Sequence, residues 1–277
     1  MPKTWFITGA SRGLGAEIAR TALEAGDRVI GTARNREKLS QQFSTAGDRF
    51  LALTLDVTDE GHAQSAVYAA SSKFNRIDVL VNNAGYGHFG LFEEATNDDI
   101  RAQFDTNVFG AMNVTRAVLP TMRRQRAGMI FNMSSIAGLR GGPGGSLYCA
   151  SKHALAGFSE SLAKEVAQFG IHVTIVEPGF FRTDFLDSTS VRYADSHIED
   201  YRDTAQNLKN TYGSYNHQQP GDPRKLAQTL IRLANDDEPP LHFPVGPDAV
   251  DIMATKITTY QNDLDQWRDL SSSTNIL

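Results

Sequence analysis

The sequence predicts a doubly wound α/β fold: one domain over residues 1–277, with about seven parallel strands in one sheet and helices on both faces. Short runs rich in β-branched and aromatic residues recur along the chain. Longer stretches with apolar residues at three- and four-residue spacing separate them, and a glycine-rich turn lies where the first run gives way to the first helical stretch.

In chain order the expected strands are TWFIT (4–8), RVIGTA (28–33), FLALTL (50–55), IDVLVN (77–82), GMIFNM (128–133), IHVTIVE (171–177) and LHFPV (241–245). Their nearly continuous apolar character fits strands covered on both faces, as in a parallel sheet. Helices are expected over 13–25, 59–74, 100–124 and 147–169. Parallel strands joined through helices imply right-handed crossovers. The rhythm breaks at 182–221, about forty polar and aromatic residues between a strand and the next helix. An insertion of that length in a compact domain is usually functional or disordered, and it reads as a substrate lid. GDPRK (221–225) restarts a helix, with Asp222 as cap and Pro223 at the first helical position. A C-terminal extension, 248–277, reads as helical to about Leu270. Internal repeats and low-complexity tracts are absent.

Composition excludes several classes of function. Lys and Arg number 27 against 32 Asp and Glu, and a net charge of -5 lacks the basic field that nucleic acid or an anionic membrane requires. The single cysteine cannot form an intrachain disulfide, and the first residues lack a basic stretch followed by a long apolar run, so a cytoplasmic location is expected. Apolar runs fall short of the roughly 18–20 residues of a membrane span. The seven histidines show no metal-ligand spacing with one another or with carboxylates, so no catalytic metal is expected.

The turn TGASRGLG (8–15) follows a strand and opens a helix, the context that gives a glycine pattern meaning. Gly9, Gly13 and Gly15 permit a tight turn, close approach to a pyrophosphate and close helix–strand packing, and the helix start offers free N–H groups to the anion. The spacing is GxxxGxG, and it resembles that of the short-chain dehydrogenase/reductase family. The resemblance continues in order through Asp56 in LDVTD, NNAG (82–85), Asn107 in FDTNVFG, NMSS (132–135), YCASK (148–152) and PGFFRT (178–183). It implies a Rossmann-type single domain, a nicotinamide cofactor, and hydride transfer to or from a carbonyl or alcohol. DRVIGTARN, NNAGYGHFG and YCASKHALAGF look most similar to the 17β-hydroxysteroid and retinol dehydrogenase branch.

The end of the second strand discriminates between the cofactors. A fold of this kind that uses NAD usually places an acidic residue there for the ribose 2′-OH. Here Ala33 stands at that position, Arg34 follows it, and Arg12 lies within the glycine turn. Two guanidinium groups without a carboxylate suit a 2′-phosphate, which predicts NADP(H). By resemblance, Ser11, Leu14, Ala84, Pro178 and Gly179 also belong to the cofactor site. Asp56 and Val57 would contact the adenine, Asn83 and Gly85 would flank the ribose, and Phe181 and Thr183 would meet the nicotinamide amide. Asp56 reads equally as the cap of the helix that follows it.

Tyr148 and Lys152 are four apart on a helix and therefore share a face. The apolar stripe of that helix reads through Ala150, Ala154, Phe158, Leu162 and Val166. Cys149, rotated about 100° from Tyr148, is expected to point away as a buried, inert thiol. A nearby ammonium, together with the positive ring of an oxidised nicotinamide cofactor, would favour tyrosinate and bring the phenol toward working pH. The resemblance assigns Tyr148 as proton donor or base, Lys152 as its tuner and ribose ligand, Ser135 as donor to the carbonyl oxygen, and Asn107 as the residue that orders a water beside the lysine. His88, Phe89, Leu139, Phe180, Phe185 and Leu186 are the expected substrate contacts, in a largely apolar pocket for a small-molecule ketone or secondary alcohol. A catalytically silent NADP-binding sensor on the same fold is the alternative. The resemblance also implies homodimers or homotetramers through the helices that hold Asn107 and Tyr148, with the C-terminal extension able to alter that packing.

Overall fold

The computed structural model describes residues 2–187, 190–195 and 197–276. Ser188, Thr189 and Ser196 of the expected lid and Leu277 of the C-terminal extension lie outside the described residues. The first half runs β1 (Thr4–Ile7), α1 (Gly13–Glu24), β2 (Arg28–Ala33), α2 (Arg36–Gln42), β3 (Phe50–Thr54), α3 (Glu60–Phe74), β4 (Val79–Asn82), β5 (Gly87–Phe89), α4 (Asn97–Phe104) and α5 (Gly110–Gln125). The second half runs β6 (Gly128–Met133), α6 (Ser146–Val166), β7 (Ile171–Pro178), β8 (Val191–Tyr193), α7 (Arg202–Tyr215), α8 (Pro223–Leu233), β9 (His242–Val245) and α9 (Pro247–Ser272).

Seven strands form one parallel sheet in the order β3-β2-β1-β4-β6-β7-β9. Strand alternation sorts the apolar side chains to two faces. Trp5, Ile7, Val81 and Phe131 pack with Ile18 and Ala22 of α1 and Leu226 and Leu230 of α8. Phe6, Leu80 and Ile130 pack on the other face with Ala66 and Ala70 of α3, Val114 and Val118 of α5, and Leu162 of α6. The chain reverses direction across the sheet between β1 and β4, and ligands of open α/β sheets bind outside the carboxyl ends of strands at such a point.

Two expectations are corrected, and the expected lid is made more definite. The expected helix over 100–124 is two helices joined by a π-helical turn, Asp105–Phe109, which carries Asn107. Such turns are rare and often mark functional sites. The buried stripe of α6 runs through Tyr148, Ser151, Lys152, Leu155, Ser159, Leu162 and Val166, while Ala150 is exposed and Ala154 and Phe158 are half-buried. The expected lid is partly regular, because β8 pairs with β5 in a second small sheet and α7 follows. Asp222 caps α8 and Pro223 opens it, as the sequence predicts.

Candidate active site

The glycine turn closes as its residue types require. Gly9 (φ 65°) and Gly13 (φ 55°) occupy left-handed backbone. A Cβ on Gly15 would overlap the Gly9 carbonyl oxygen and stand 2.5 Å from Asn83 Nδ2. Asn83 Nδ2 donates to the carbonyls of Thr8 (3.0 Å) and Gly9 (3.2 Å). Thr8 Oγ1 accepts from the backbone N–H groups of Asn83 and Ala84, both at 2.9 Å. The Asn83 side chain therefore holds the turn in shape. Helix α1 starts behind it without a side-chain cap, so its first N–H groups face the cleft above β1 and β4. This cradle fits the pyrophosphate of a dinucleotide.

The cleft holds about 680 Å3 and is continuous from the glycine turn to Tyr148. Gly9, Ser11, Arg12, Gly13, Leu14, Arg34, Asp56, Val57, Asn83, Ala84, Gly85, Pro178, Gly179, Phe181 and Thr183 all line it, whereas Gly15 lies behind the wall. Ala33 and Arg34 line the cleft as Arg12 does, with both guanidinium-bearing residues exposed. Asp56 Oδ1 accepts from Thr58 N (3.0 Å) and Oγ1 (2.8 Å), and the cap of α3 is Asp59, which accepts from His62 N at 2.9 Å. The cap reading of Asp56 is thereby corrected.

Tyr148 and Lys152 lie on one wall of the cleft, both largely buried. Ser135 lines the cleft beside Tyr148, and its hydroxyl accepts from Ala137 N at 3.1 Å. Lys152 Nζ donates to the Met133 carbonyl at 2.7 Å and lies 5.6 Å from the Tyr148 ring centre. Asn107 is buried behind this wall: its Oδ1 accepts from Tyr86 N (3.1 Å), and its Nδ2 donates to Tyr86 O (3.0 Å) and Ser151 Oγ (3.2 Å). Gly85 separates it from the cleft, and a Cβ there would stand 3.0 Å from Asn107 Oδ1 and 3.8 Å from Lys152 Nζ.

Burial acts on both titratable groups of the pair, in opposite directions. It pushes the Tyr148 phenol above its ordinary range, with the Ser135 hydroxyl opposing, and lowers the Lys152 ammonium to about 8. Desolvation is the largest influence on the phenol, and the Lys152 ammonium is engaged by the Met133 carbonyl. A stability prediction follows. Burial holds the folded-state pKa of Lys152 at about 8, below the ordinary lysine value of about 10.4, so the unfolded chain binds more protons between about pH 8 and 10. Stability from this group rises with pH across that window, by up to about 3 kcal/mol. Denaturant titrations at pH 7 and pH 10 should show this gain in the wild type relative to Lys152→Met; parallel pH profiles would contradict it.

At the substrate end Phe89, Phe180, Phe185 and Leu186 line the cleft. Tyr148 lies 5.6 Å from Phe89 and 5.7 Å from Phe185 between ring centres, and Tyr212 of α7 stacks on Phe89 at 4.4 Å. His88 and Leu139 do not line it. His88 precedes Phe89 in β5, so its side chain takes the opposite face, where Nε2 meets Asp99 Oδ1 at 3.3 Å. Leu139 is buried elsewhere in the core. Cys149 does reach the cleft, half-buried, which corrects its expected orientation; burial raises its thiol pKa, which keeps it protonated. Sequence reasoning missed Tyr86, Arg192 and Tyr212. Their positions depend on the β5–β8 pairing and on α7, which no local pattern announced. Arg140, Gly141, Gly142 and Gly145, which precede α6, also line the cleft. No cluster of His, Cys, Asp or Glu able to hold a metal is found among the described residues, and no helix among them is long and apolar enough to cross a membrane.

A phosphate-binding glycine turn at the switch point of a parallel sheet, sharing one cleft with a tyrosine–lysine–serine cluster, defines a dinucleotide-binding oxidoreductase. The family model of short chain dehydrogenases matches residues 3–194, and the chain belongs to that family. It is 42% identical over 276 residues to oxidoreductase BOA17 of Botryotinia fuckeliana, covering 98% of each chain. Among solved structures it resembles a short-chain dehydrogenase from Streptomyces avermitilis (39% identity, TM-score 0.92, 100% of both chains). It also resembles ElxO with NADP bound (31% identity, TM-score 0.72, 88% of this chain and 96% of that one).

Proposed function

We propose that the protein is an NADP(H)-dependent carbonyl reductase or alcohol dehydrogenase acting on a ketone or secondary alcohol, as in the hydroxysteroid and retinol dehydrogenase branch it resembles. The observation that carries this reading is the single cleft joining the glycine cradle to Tyr148, Ser135 and Lys152. When bound, the nicotinamide supplies the hydride for reduction or accepts it in oxidation. Tyr148 gives its phenolic proton to the carbonyl oxygen, and the burial that keeps this phenol neutral suits it to the reducing direction. Ser135 donates a hydrogen bond where negative charge develops, a role worth about 2.7–4 kcal/mol for one well-placed donor. Lys152 holds the cofactor ribose and restores the proton to Tyr148. Asn107 is a positioning residue: it fixes the Tyr86 backbone and Ser151 and so holds the wall beside Gly85 and Lys152. Phe89, Phe185, Leu186 and Tyr212 supply an apolar surface for the rest of the substrate.

NADP(H) rather than NAD(H) is supported by Ala33, Arg34 and Arg12 in the lining of the cleft, with no carboxylate at the end of β2. Unit charges about 4 Å apart interact by roughly 4 kcal/mol at an effective dielectric near 20, before solvent reduces it. A preference of about ten- to several-hundredfold in kcat/KM for NADPH is expected, reversing toward NADH in Ala33→Asp/Arg34→Ala. Following NADPH absorbance over a panel of ketones tests both activity and preference. Equal use of NADH would overturn the cofactor assignment, and tight NADPH binding without turnover of any ketone or alcohol would favour a silent sensor.

A further inference from the structure

Helix α9 leaves the body of the protein after its first turns. Ala249 is buried and Ile252, Met253 and Lys256 are half-buried, but every residue from Ile257 to Ser272 is exposed. The exposed part is not uniformly polar. Val250, Ile257, Tyr260, Leu264, Trp267 and Leu270 are each 50–65% exposed. With Met253 between the first two, the positions 250, 253, 257, 260, 264 and 267 advance by alternating steps of three and four. That is the seam of a two-stranded coiled coil, and it calls for another helix of the same pitch.

We infer that α9 is a self-association arm, pairing antiparallel with α9 of a second copy of this chain. One register overlaps the whole seam: Val250 faces Trp267 of the partner subunit, Met253 faces Leu264 of the partner subunit, and Ile257 faces Tyr260 of the partner subunit. In that register Lys256, beside the seam, stands across from Asp263 of the partner subunit, and the twofold axis repeats the pair. Parallel pairing would instead force both globular bodies to the same end of the coil. Taking on the order of 200 Å2 per large apolar side chain, the six exposed residues present roughly 700 Å2 per protomer, against roughly 800 Å2 per partner in a standard interface. A lipid surface is disfavoured because α9 carries five aspartates against one lysine and one arginine.

Light scattering and sedimentation of the full chain test this. The wild-type particle is expected to have twice the mass of Ile257→Asp/Leu264→Asp, whether that step is dimer to monomer or, where other surfaces also pair, tetramer to dimer. Circular dichroism of the body and NADPH binding should be unchanged, since neither residue lies at the cleft. Lys256→Glu should weaken association several-fold, and Lys256→Glu/Asp263→Lys should restore it. Equal masses for wild type and the double aspartate variant overturn the arm, as does binding of the wild type to phosphatidylcholine vesicles with no change of mass in their absence. Failure of the charge reversal to rescue Lys256→Glu overturns the antiparallel register.

Discussion

Tyr148→Phe is expected to lower kcat for carbonyl reduction by roughly 10²- to 10⁴-fold, the range associated with a positioned proton donor. The substitution keeps the ring and so keeps its packing against Phe89 and Phe185, at 5.6 and 5.7 Å between centres. What it removes is the hydroxyl, and with it the proton that carbonyl reduction requires. NADPH affinity should change little, because the substitution leaves the glycine cradle, Arg12 and Arg34 unaltered. Single-turnover mixing of NADPH-loaded enzyme with an accepted ketone isolates the chemical step from release. A variant that transfers hydride at the wild-type rate would remove Tyr148 from the mechanism, whatever its steady-state behaviour.

The sheet was legible because each strand is buried on both faces, and a run such as Gly128–Met133 or Arg28–Ala33 then has few polar interruptions. The glycine turn was legible for a different reason: its backbone demands residues without a Cβ, and those leave a mark in sequence that side-chain contacts do not. Neither condition holds for the face of α6. Its buried stripe includes Ser151 and Ser159, which a search for apolar periodicity passes over. Ser159 Oγ accepts from Asn132 Nδ2 at 2.7 Å, and Asn82 Nδ2 donates to Asn132 Oδ1 at 2.8 Å, so Ser159 and Asn132 are paired inside the fold, while Asn82 Oδ1 has no partner there. Tertiary hydrogen bonding replaced hydrophobicity as the reason for burial, and the stripe at Ala150, Ala154 and Phe158 was misread in consequence.

The same distinction explains the substrate end. Of the two expected pocket neighbours, Phe89 lines the cleft and His88 does not. Once Gly87–Phe89 pairs with Val191–Tyr193 as a strand, adjacent side chains must take opposite faces. Three-residue strands carry too few positions to show alternation, so this was a structural finding. The π-helical turn at Asp105–Phe109 is similar. Gly110 lets the helix pass so close to Val57 that a Cβ would stand 2.6 Å from Val57 Cγ2, and the widened turn before it sets Asn107 against the Tyr86 backbone. A single glycine inside an otherwise regular pattern was the available sign.

Gly15→Ala carries the second large expectation, a loss of NADPH binding in a protein that still folds. The added methyl meets two atoms that cannot yield independently. The Gly9 carbonyl belongs to a turn at φ 65°, and Asn83 Nδ2, 2.5 Å away, is committed to the carbonyls of Thr8 and Gly9. Relief requires helix α1 and the turn to separate, which moves the first N–H groups of the helix away from the anion they would hold. Overpacking of this kind costs typically 1–3 kcal/mol in stability. A comparable loss at the phosphate contacts is a ten- to hundredfold weakening of NADPH, at about 1.4 kcal/mol for each factor of ten. Fluorescence titration with NADPH and thermal melts of the unliganded protein separate the two effects. The expected pattern is a modest fall in Tm with a much larger fall in affinity, and a lasting loss of the stabilisation that saturating NADPH gives the wild type. Because Gly15 lies behind the cleft wall, wild-type affinity in the variant would mean that the turn yields without disturbing its N–H groups, and the cradle would then owe nothing to the close approach of helix and strand.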